Sequence, residues 1–395
     1  MTLGAEQISV LRGSHGQDAR ATGVRPLRVL FALPGLHRVN RGAEVVLEEV
    51  ASRAARDPRF DVTLFGSGPR RSDRLYRYRK LWGLNRECFE KFPRLPYVRD
   101  HYAWEELAYA PSLYRNFRPC DYDVTVTCGY PYTNWILRHG RKKARRPAHI
   151  FITQNGDWMV RATNWEFKYF GCDGLICTNP EYYQRHKNNY PCALIPNGVD
   201  TLRFHPGSGD RAMFDLPERA VMILMVSALI PSKRVLEGIE AAARVPDAHL
   251  VIAGDGEQRA QVDALGRQLL GNRFHRLALA RERMPELYRA ADALLHMSQD
   301  EPFGNIYIEA LASGLPVVAH RTAVTQWILE DQAALIDTCD QTAVAEALKA
   351  AIAARSTQQM ASRRTLAESR FSWDAVAGQY CDFFRQIHER AAAPD

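Results

Sequence analysis

The chain lacks any run of 18 apolar residues, which argues against a membrane-spanning helix. Its opening stretch, MTLGAEQISVLRGSHGQDARATG, lacks the continuous apolar centre of a signal peptide and reads as a frayed tail, with order beginning near Leu27. The eight cysteines, at 88, 120, 128, 172, 177, 192, 339 and 381, include no C-x-x-C pair and no zinc-like cluster. That usage suits a reducing cytoplasm better than secretion. No strand ends in G-x-G-x-x-G with an acid following, which disfavours a nicotinamide-dependent oxidoreductase. No internal repeat is visible, so a solenoid is excluded. No zinc knuckle or aromatic ribonucleoprotein motif is present, and nucleic acid is not an expected partner. His37, His275 and His296 lack metal-like partners at any recognised spacing, so they read as structural and no metal is expected.

What is present is a globular composition: 395 residues, 46% hydrophobic and 25% charged, enough for two α/β domains. The formal net charge of +7 is concentrated in residues 69–80 and 138–147. Such stretches serve either as solvated surface or as a basic face toward an anionic membrane or acceptor. Reversing Arg141, Lys142 and Lys143 to Glu would test the second reading on anionic vesicles.

Short apolar runs at 27–33, 60–66, 122–128, 148–153 and 173–178 alternate with helical patterns. Turn signals at Asn197-Gly198 and Pro206-Gly207 mark a boundary. A second series then runs through 221–227, 249–254, 291–298 and 315–320, with helical patterns between them and from Gln341 to about Ala392. Strands alternating with helices predict parallel sheets covered on both faces. Residues 72–120, rich in Tyr, Trp, Phe and Arg, give no firm local pattern.

Chemistry concentrates after the strands of the second series. EPFGNIYIE (301–309) follows a strand and opens a helix. The amides from about Gly304 to Ile306 then lie at a helix N-terminus, which favours a phosphate, and a glycine lets it come close. Glu309, in the second turn, can accept two hydrogen bonds from a vicinal diol, and Glu301 can reach sugar hydroxyls. SALIPSKR (227–234) places Lys233 and Arg234 at the C-terminal edge of the sheet, where such folds bind ligands. A departing diphosphate needs such cations, and losing one stabiliser typically costs roughly 3–4 kcal/mol at the transition state. Gly35 and Gly42 form a weaker glycine loop after the first strand. In TQNGDWM (153–159), Asn155, Gly156 and Asp157 could meet sugar hydroxyls or simply make a tight turn.

Together these residues resemble the large retaining glycosyltransferase family numbered four, of GT-B fold, over nearly all of Leu27 to Ile387. IPNGVDTLRFHP is similar to the family's interdomain segment, EPFGNIYIEALASGLPVVA to its E-x7-E signature, and AGDGEQR and MPELYRAADALLHMS to its usual order. The resemblance implies two Rossmann-like α/β domains facing each other across a cleft. A flexible tail (1–24) would precede an acceptor-binding domain (25–200). A nucleotide-sugar-binding domain (201–370) would follow, and a C-terminal helix (371–395) would cross back.

The resemblance further implies transfer from a UDP- or GDP-sugar to a glycan, lipid-linked or small-molecule acceptor, with retention, a front-face route, no cofactor and no metal. Glu301, Lys233 and Asp157 would be catalytic. Gly42, Arg234, Phe303, Gly304, Asn305 and Glu309 would hold the donor, and Asn155 and Gly156 the acceptor or sugar. The expected location is cytoplasmic, with peripheral membrane contact open. The sequence departs from the family at Ala228, where Arg is common, at TQNGD, where His is common, and at AHRTAVTQW, which lacks the usual Gly-Gly. A non-catalytic nucleotide-sugar binder of the same fold is the alternative.

Overall fold

The structure, a computed structural model, describes residues 25–96, 98, 100–138, 146–154, 156 and 169–392. It divides into two compact units, one comprising Met1–Pro196 with Val376–Asp395 and the other Asn197–Ala375. The basic stretch around Arg141, Lys142 and Lys143, and the expected contacts Asn155 and Asp157, lie outside the described residues.

The first unit is built on a seven-stranded sheet. Its strands are β1 (Leu27–Ala32), β2 (Phe60–Gly66), β3 (Arg77–Lys80), β4 (Val124–Thr127), β5 (Ala148–Ile152), β6 (Gly174–Cys177) and β7 (Cys192–Leu194). They run in the order β3-β2-β1-β4-β5-β6-β7, and every neighbouring pair is parallel. The last helix, Trp373–Ala392, packs Phe384 edge-on against Phe31 of β1 at 5.8 Å. Gly174 gives that helix room, because a Cβ there would lie 2.7 Å from Ile387.

The second unit holds β8 (Met222–Val226), β9 (His249–Ala253), β10 (Phe274–Leu277), β11 (Ala293–His296), β12 (Val317–His320) and β13 (Ala333–Ile336). All are parallel, in the order β10-β9-β8-β11-β12-β13. Each unit thus follows the Rossmann order, in which the chain starts mid-sheet, works outward to one edge, then returns to build the other half. The central strands are apolar because helices cover both faces. Met222 and Leu224 of β8 join the core under the Asn305–Ala312 helix. Ile223 and Met225 face the opposite core, with Val235 and Ile239 of the Val235–Ala243 helix. Period-two alternation along one strand therefore feeds two cores.

Three elements were not legible as local patterns. β3, β10 and β13 are four-residue strands; β3 and β10 carry charged and polar side chains, and the AALI of β13 is too short and too half-buried to announce a strand. Within residues 72–120, the structure forms a helix at His101–Asn116, capped by the Asp100 side chain accepting from Ala103 N–H at 2.8 Å. Pro111 within it masks its pattern in the sequence. Among the described residues, no helix is long and apolar enough to cross a membrane.

Candidate functional site

In an open parallel sheet, ligands bind beyond the carboxyl ends of the strands where the order reverses. In the second unit that place lies between β8 and β11, which pair through Ala293–Ile223 and Leu294–Leu224. The two loops leaving these strands therefore emerge side by side. The loop after β8 ends in a short turn, Pro231–Lys233, and Arg234 takes a left-handed conformation (φ 52°) to swing the chain into its helix. The loop after β11 runs from Met297 to Gly304, whose φ of 79° starts the Asn305–Ala312 helix. A side chain at Gly304 would be strained, and its Cβ would lie 2.6 Å from the Tyr307 ring and 2.9 Å from Glu301 Cγ.

This geometry brings Lys233 and Glu301 together across 68 residues. Lys233 Nζ donates to Glu301 Oε2 at 2.5 Å. His296, the last residue of β11, places Nε2 3.1 Å from that same oxygen. Its ring is buried and stands edge-on to Tyr307 at 5.4 Å. Burial works to raise the Glu301 carboxyl, but the hydrogen bonds from His296 and Lys233 outweigh it and hold it below the ordinary value. His296 had read as structural from spacing alone. Its contact depends on a strand end and a loop meeting, which no linear motif displays.

The loop carrying Lys233 is backed by the turn after β9. Ser227 N–H donates to Ala253 O, Leu229 N–H to Asp255 O, and Gln258 N–H to Leu229 O. Gly254 and Gly256 permit this approach, because Cβ atoms there would lie 1.8 Å from Ser227 O and 2.5 Å from Leu229 O. The glycines of AGDGEQR thus act as a backbone support for the lysine loop.

The other expected residues occupy distinct places. Glu309, in the second turn of its helix, accepts from Tyr288 Oη at 2.8 Å. Burial pushes its carboxyl up to about 7, against the pull of the Tyr288 hydrogen bond. Phe303 is buried and packs edge-on to Trp327 at 6.1 Å, so its side chain belongs to the core. Asn305 Oδ1 accepts from Asn197 Nδ2 at 3.0 Å. Arg234 is not brought to Glu301. Its Nε donates to Glu237 at 3.1 Å and its Nη1 to Thr338 at 3.3 Å. Among the described residues no side chain caps the first turn of the Asn305–Ala312 helix, which leaves its first amides open to an anion.

In the first unit, the strand order reverses between β1 and β4. Gly42 begins the Gly42–Ala54 helix, and a Cβ there would meet nothing within 4 Å. Gly156 has a φ of 100°, and a Cβ there would meet nothing within 4 Å among the described residues. Two buried carboxyls that no sequence signal indicated lie near this edge. Glu44 presses on Gly35, where a Cβ would lie 2.0 Å from its Oε1. Glu106 Oε2 accepts from Thr133 N–H at 2.9 Å, while Oε1 has no hydrogen-bond partner among the described residues. Burial raises both groups, Glu106 to about 7.

Comparison with known proteins agrees with this architecture. The sequence profile described as Glycosyl transferases group 1 matches residues 210–367, and that described as Glycosyltransferase Family 4 matches residues 40–203. The chain is 28% identical over 255 residues to the lipopolysaccharide core biosynthesis glycosyltransferase LpsE of Rhizobium meliloti, covering 62% of this chain and 73% of that protein. It is 37% identical over 135 residues to a D-inositol 3-phosphate glycosyltransferase of Mycolicibacterium smegmatis. That match covers 32% of this chain and spans only 31% of that enzyme. Among solved structures, the sucrose-phosphate synthase of Thermosynechococcus elongatus superposes with a TM-score of 0.70 at 19% identity, over 92% of this chain and all of that one. Anabaena HepE in complex with UDP-glucose gives a TM-score of 0.65 at 17% identity, over 91% of this chain and all of that one.

Proposed function

The chain belongs to the family 4 glycosyltransferases, of GT-B fold, and from that premise we propose that it transfers a hexose from a UDP- or GDP-sugar to an acceptor hydroxyl with retention of configuration. The observation that carries this reading is the Lys233–Glu301–His296 cluster beside an uncapped helix N-terminus. Lys233 and the first amides of that helix, reached past Gly304 and the Phe303 and Asn305 backbone, hold the diphosphate. Glu309 takes the ribose diol, and Glu301 a hydroxyl of the transferred sugar.

In the proposed step, the bond from the anomeric carbon to the diphosphate oxygen breaks as the acceptor oxygen bonds to the same face of that carbon. The acceptor proton passes to the departing oxygen. Lys233 and the helix amides offset the charge that builds there. The proposal calls on no cofactor and no divalent metal, so activity should persist in a chelator.

Acceptor recognition falls to the first unit, with Asn155, Gly156 and Asp157 as the proposed contacts and Asp157 the proposed catalytic aid. The acceptor is a glycan, lipid-linked or small-molecule hydroxyl. Relatives named for lipopolysaccharide core biosynthesis and for D-inositol 3-phosphate support acceptors of those kinds. The cysteine spacing, without a C-x-x-C pair, supports a cytoplasmic location.

A donor screen with released nucleotide as readout tests the proposal. One nucleotide sugar should give turnover, and Lys233→Ala should abolish most of it. Failure of both UDP and GDP to bind at millimolar concentration would sink the reading. A non-catalytic binder is favoured only by the orientation of Arg234 away from Glu301 and by exposed Ala228 in place of a cation. Slow donor hydrolysis without acceptor separates the two, since a pure binder shows none.

A further inference from the structure

Residues 82–95 of the first unit follow the edge strand β3 and leave four large apolar side chains in solvent. Trp82 is 62% exposed, Leu84 41%, Phe92 50% and Leu95 44%. Single exposed apolar residues are ordinary, but a group of four within one short segment is not.

The segment is anchored along the His101–Asn116 helix. Trp82 N–H donates to Ser112 Oγ at 3.0 Å, and Gly83 lies against the Tyr109 ring. Further along, Phe89 turns inward and stacks on Trp104 at 6.0 Å. Phe92 stands edge-on to both, at 5.1 and 5.2 Å, and Trp104 Nε1 donates to Pro93 O at 3.0 Å. Ser112 and Trp104 are separated by about 12 Å of helix, from the rise per residue. The backbone is thus pinned at two points, while Trp82, Leu84, Phe92 and Leu95 remain outward.

The charge around this strip has one dominant sign. Residues 70–95 contain nine basic side chains and three acidic ones. Arg71 and Arg74 are engaged by Glu48, Arg77 by Asp61 and Arg86 by Glu105. Arg79, Lys80, Lys91 and Arg94 are exposed and make no ion pair among the described residues.

We infer that this strip docks the first unit onto an anionic lipid bilayer. Aromatic and aliphatic side chains would enter the headgroup boundary, and the unpaired cations would lie on the lipid phosphates. Neither signal alone gives firm attachment, and the strip supplies both. A folded protein partner of ordinary composition would bring charges of both signs, whereas the free charges at this face are mostly cations. The inference does not rest on the proposed Lys233–Glu301–His296 cluster, whose residues belong to the second unit.

Vesicle co-sedimentation of the full chain tests it, using phosphatidylcholine alone and phosphatidylcholine mixed with phosphatidylglycerol. The chain should sediment with the anionic vesicles and dissociate as salt rises. The triple variant Lys80→Glu, Lys91→Glu, Arg94→Glu should weaken binding by at least about fivefold per site. The variant Trp82→Ser, Phe92→Ser should weaken it at all salt concentrations. Both should keep UDP or GDP affinity; the charge variant should keep the wild-type melting temperature, while the aromatic variant should melt slightly lower as Phe92 leaves Phe89 and Trp104. Absence of binding by the folded wild-type chain would overturn the inference, as would equal binding to neutral vesicles or binding indifferent to both variants. Concentration-dependent self-association abolished by Trp82→Ser, Phe92→Ser, without lipid binding, would overturn it in favour of a second copy of this chain.

Discussion

His296 and Lys233 both engage one oxygen, Oε2 of Glu301, but they are not equivalent partners. His296 is buried at the end of β11 and locked beside Tyr307. Lys233 carries its charge on a flexible stem whose compact ammonium can turn to a new anion. A diphosphate at the helix N-terminus would compete for Lys233, and His296 would then keep Glu301 aimed. Both partners of the acid come from the chain itself.

His296→Asn should therefore lower turnover about 10-fold or more through a misaligned Glu301, on the scale at which one positioned group acts. Nucleotide affinity should change little, because Lys233 remains to hold the diphosphate. Isothermal titration with UDP and GDP, beside steady-state rates, separates these effects. Equal losses in binding and turnover would show His296 to be only a packing residue.

The Tyr288–Glu309 pair gives a pH signature. Burial raises the Glu309 carboxyl to about 7, and the Tyr288 hydrogen bond opposes that rise. A ribose diol donates to the ionised carboxylate, so nucleoside affinity should increase as pH rises through about 7. Tyr288→Phe removes the opposing hydrogen bond and should move this rise to higher pH. Glu309→Gln should abolish it. Titrations with UDP and GDP over roughly pH 6 to 9 would reveal whether the transition moves.

Glu106 makes the first unit pH-sensitive in stability. Its folded-state carboxyl is raised by burial to about 7 from an ordinary 4.5. The folded state therefore holds a proton that the unfolded chain has released, and stability falls as pH rises across that window. Glu106→Gln keeps an acceptor for Thr133 N–H without a charge to bury. It should flatten the dependence of melting temperature on pH and be relatively most favourable at about pH 8, where the wild-type group is ionised in both states. A wild-type melting temperature that does not decline between these pH values would remove this role.

The long central strands were legible because burial on both faces makes them continuous apolar runs, as in 27–33 and 221–227. The edge strands β3, β10 and β13 were not, since sheet pairing rather than composition makes them strands. Lys233, Glu301 and Glu309 stood out because each follows a strand at a fixed offset. Their juxtaposition follows from β8 lying beside β11. His296, Tyr288, Glu44 and Glu106 were silent, because their partners are distant in sequence and each sits within an otherwise ordinary strand or helix pattern. Arg234 shows the converse. It has a suggestive neighbour in Lys233, yet its left-handed backbone turns the side chain to Glu237 and Thr338.

Gly254 tests whether the support behind the lysine loop matters as much as the lysine. Its Cβ would lie 1.8 Å from Ser227 O, a backbone atom that cannot rotate aside. Gly254→Ala must therefore push the β8 loop away from the turn after β9, at a cost of about 1–3 kcal/mol for an overpacked site. The displacement passes along Ser227 to Leu229 toward Lys233, because the hydrogen bonds between the two loops couple them. The variant should melt several degrees lower, and its UDP or GDP affinity should fall even at temperatures where it is fully folded. A stability loss with unchanged nucleotide affinity would show that the lysine finds its place without the glycine turn, and that Glu301 and His296 alone define the site.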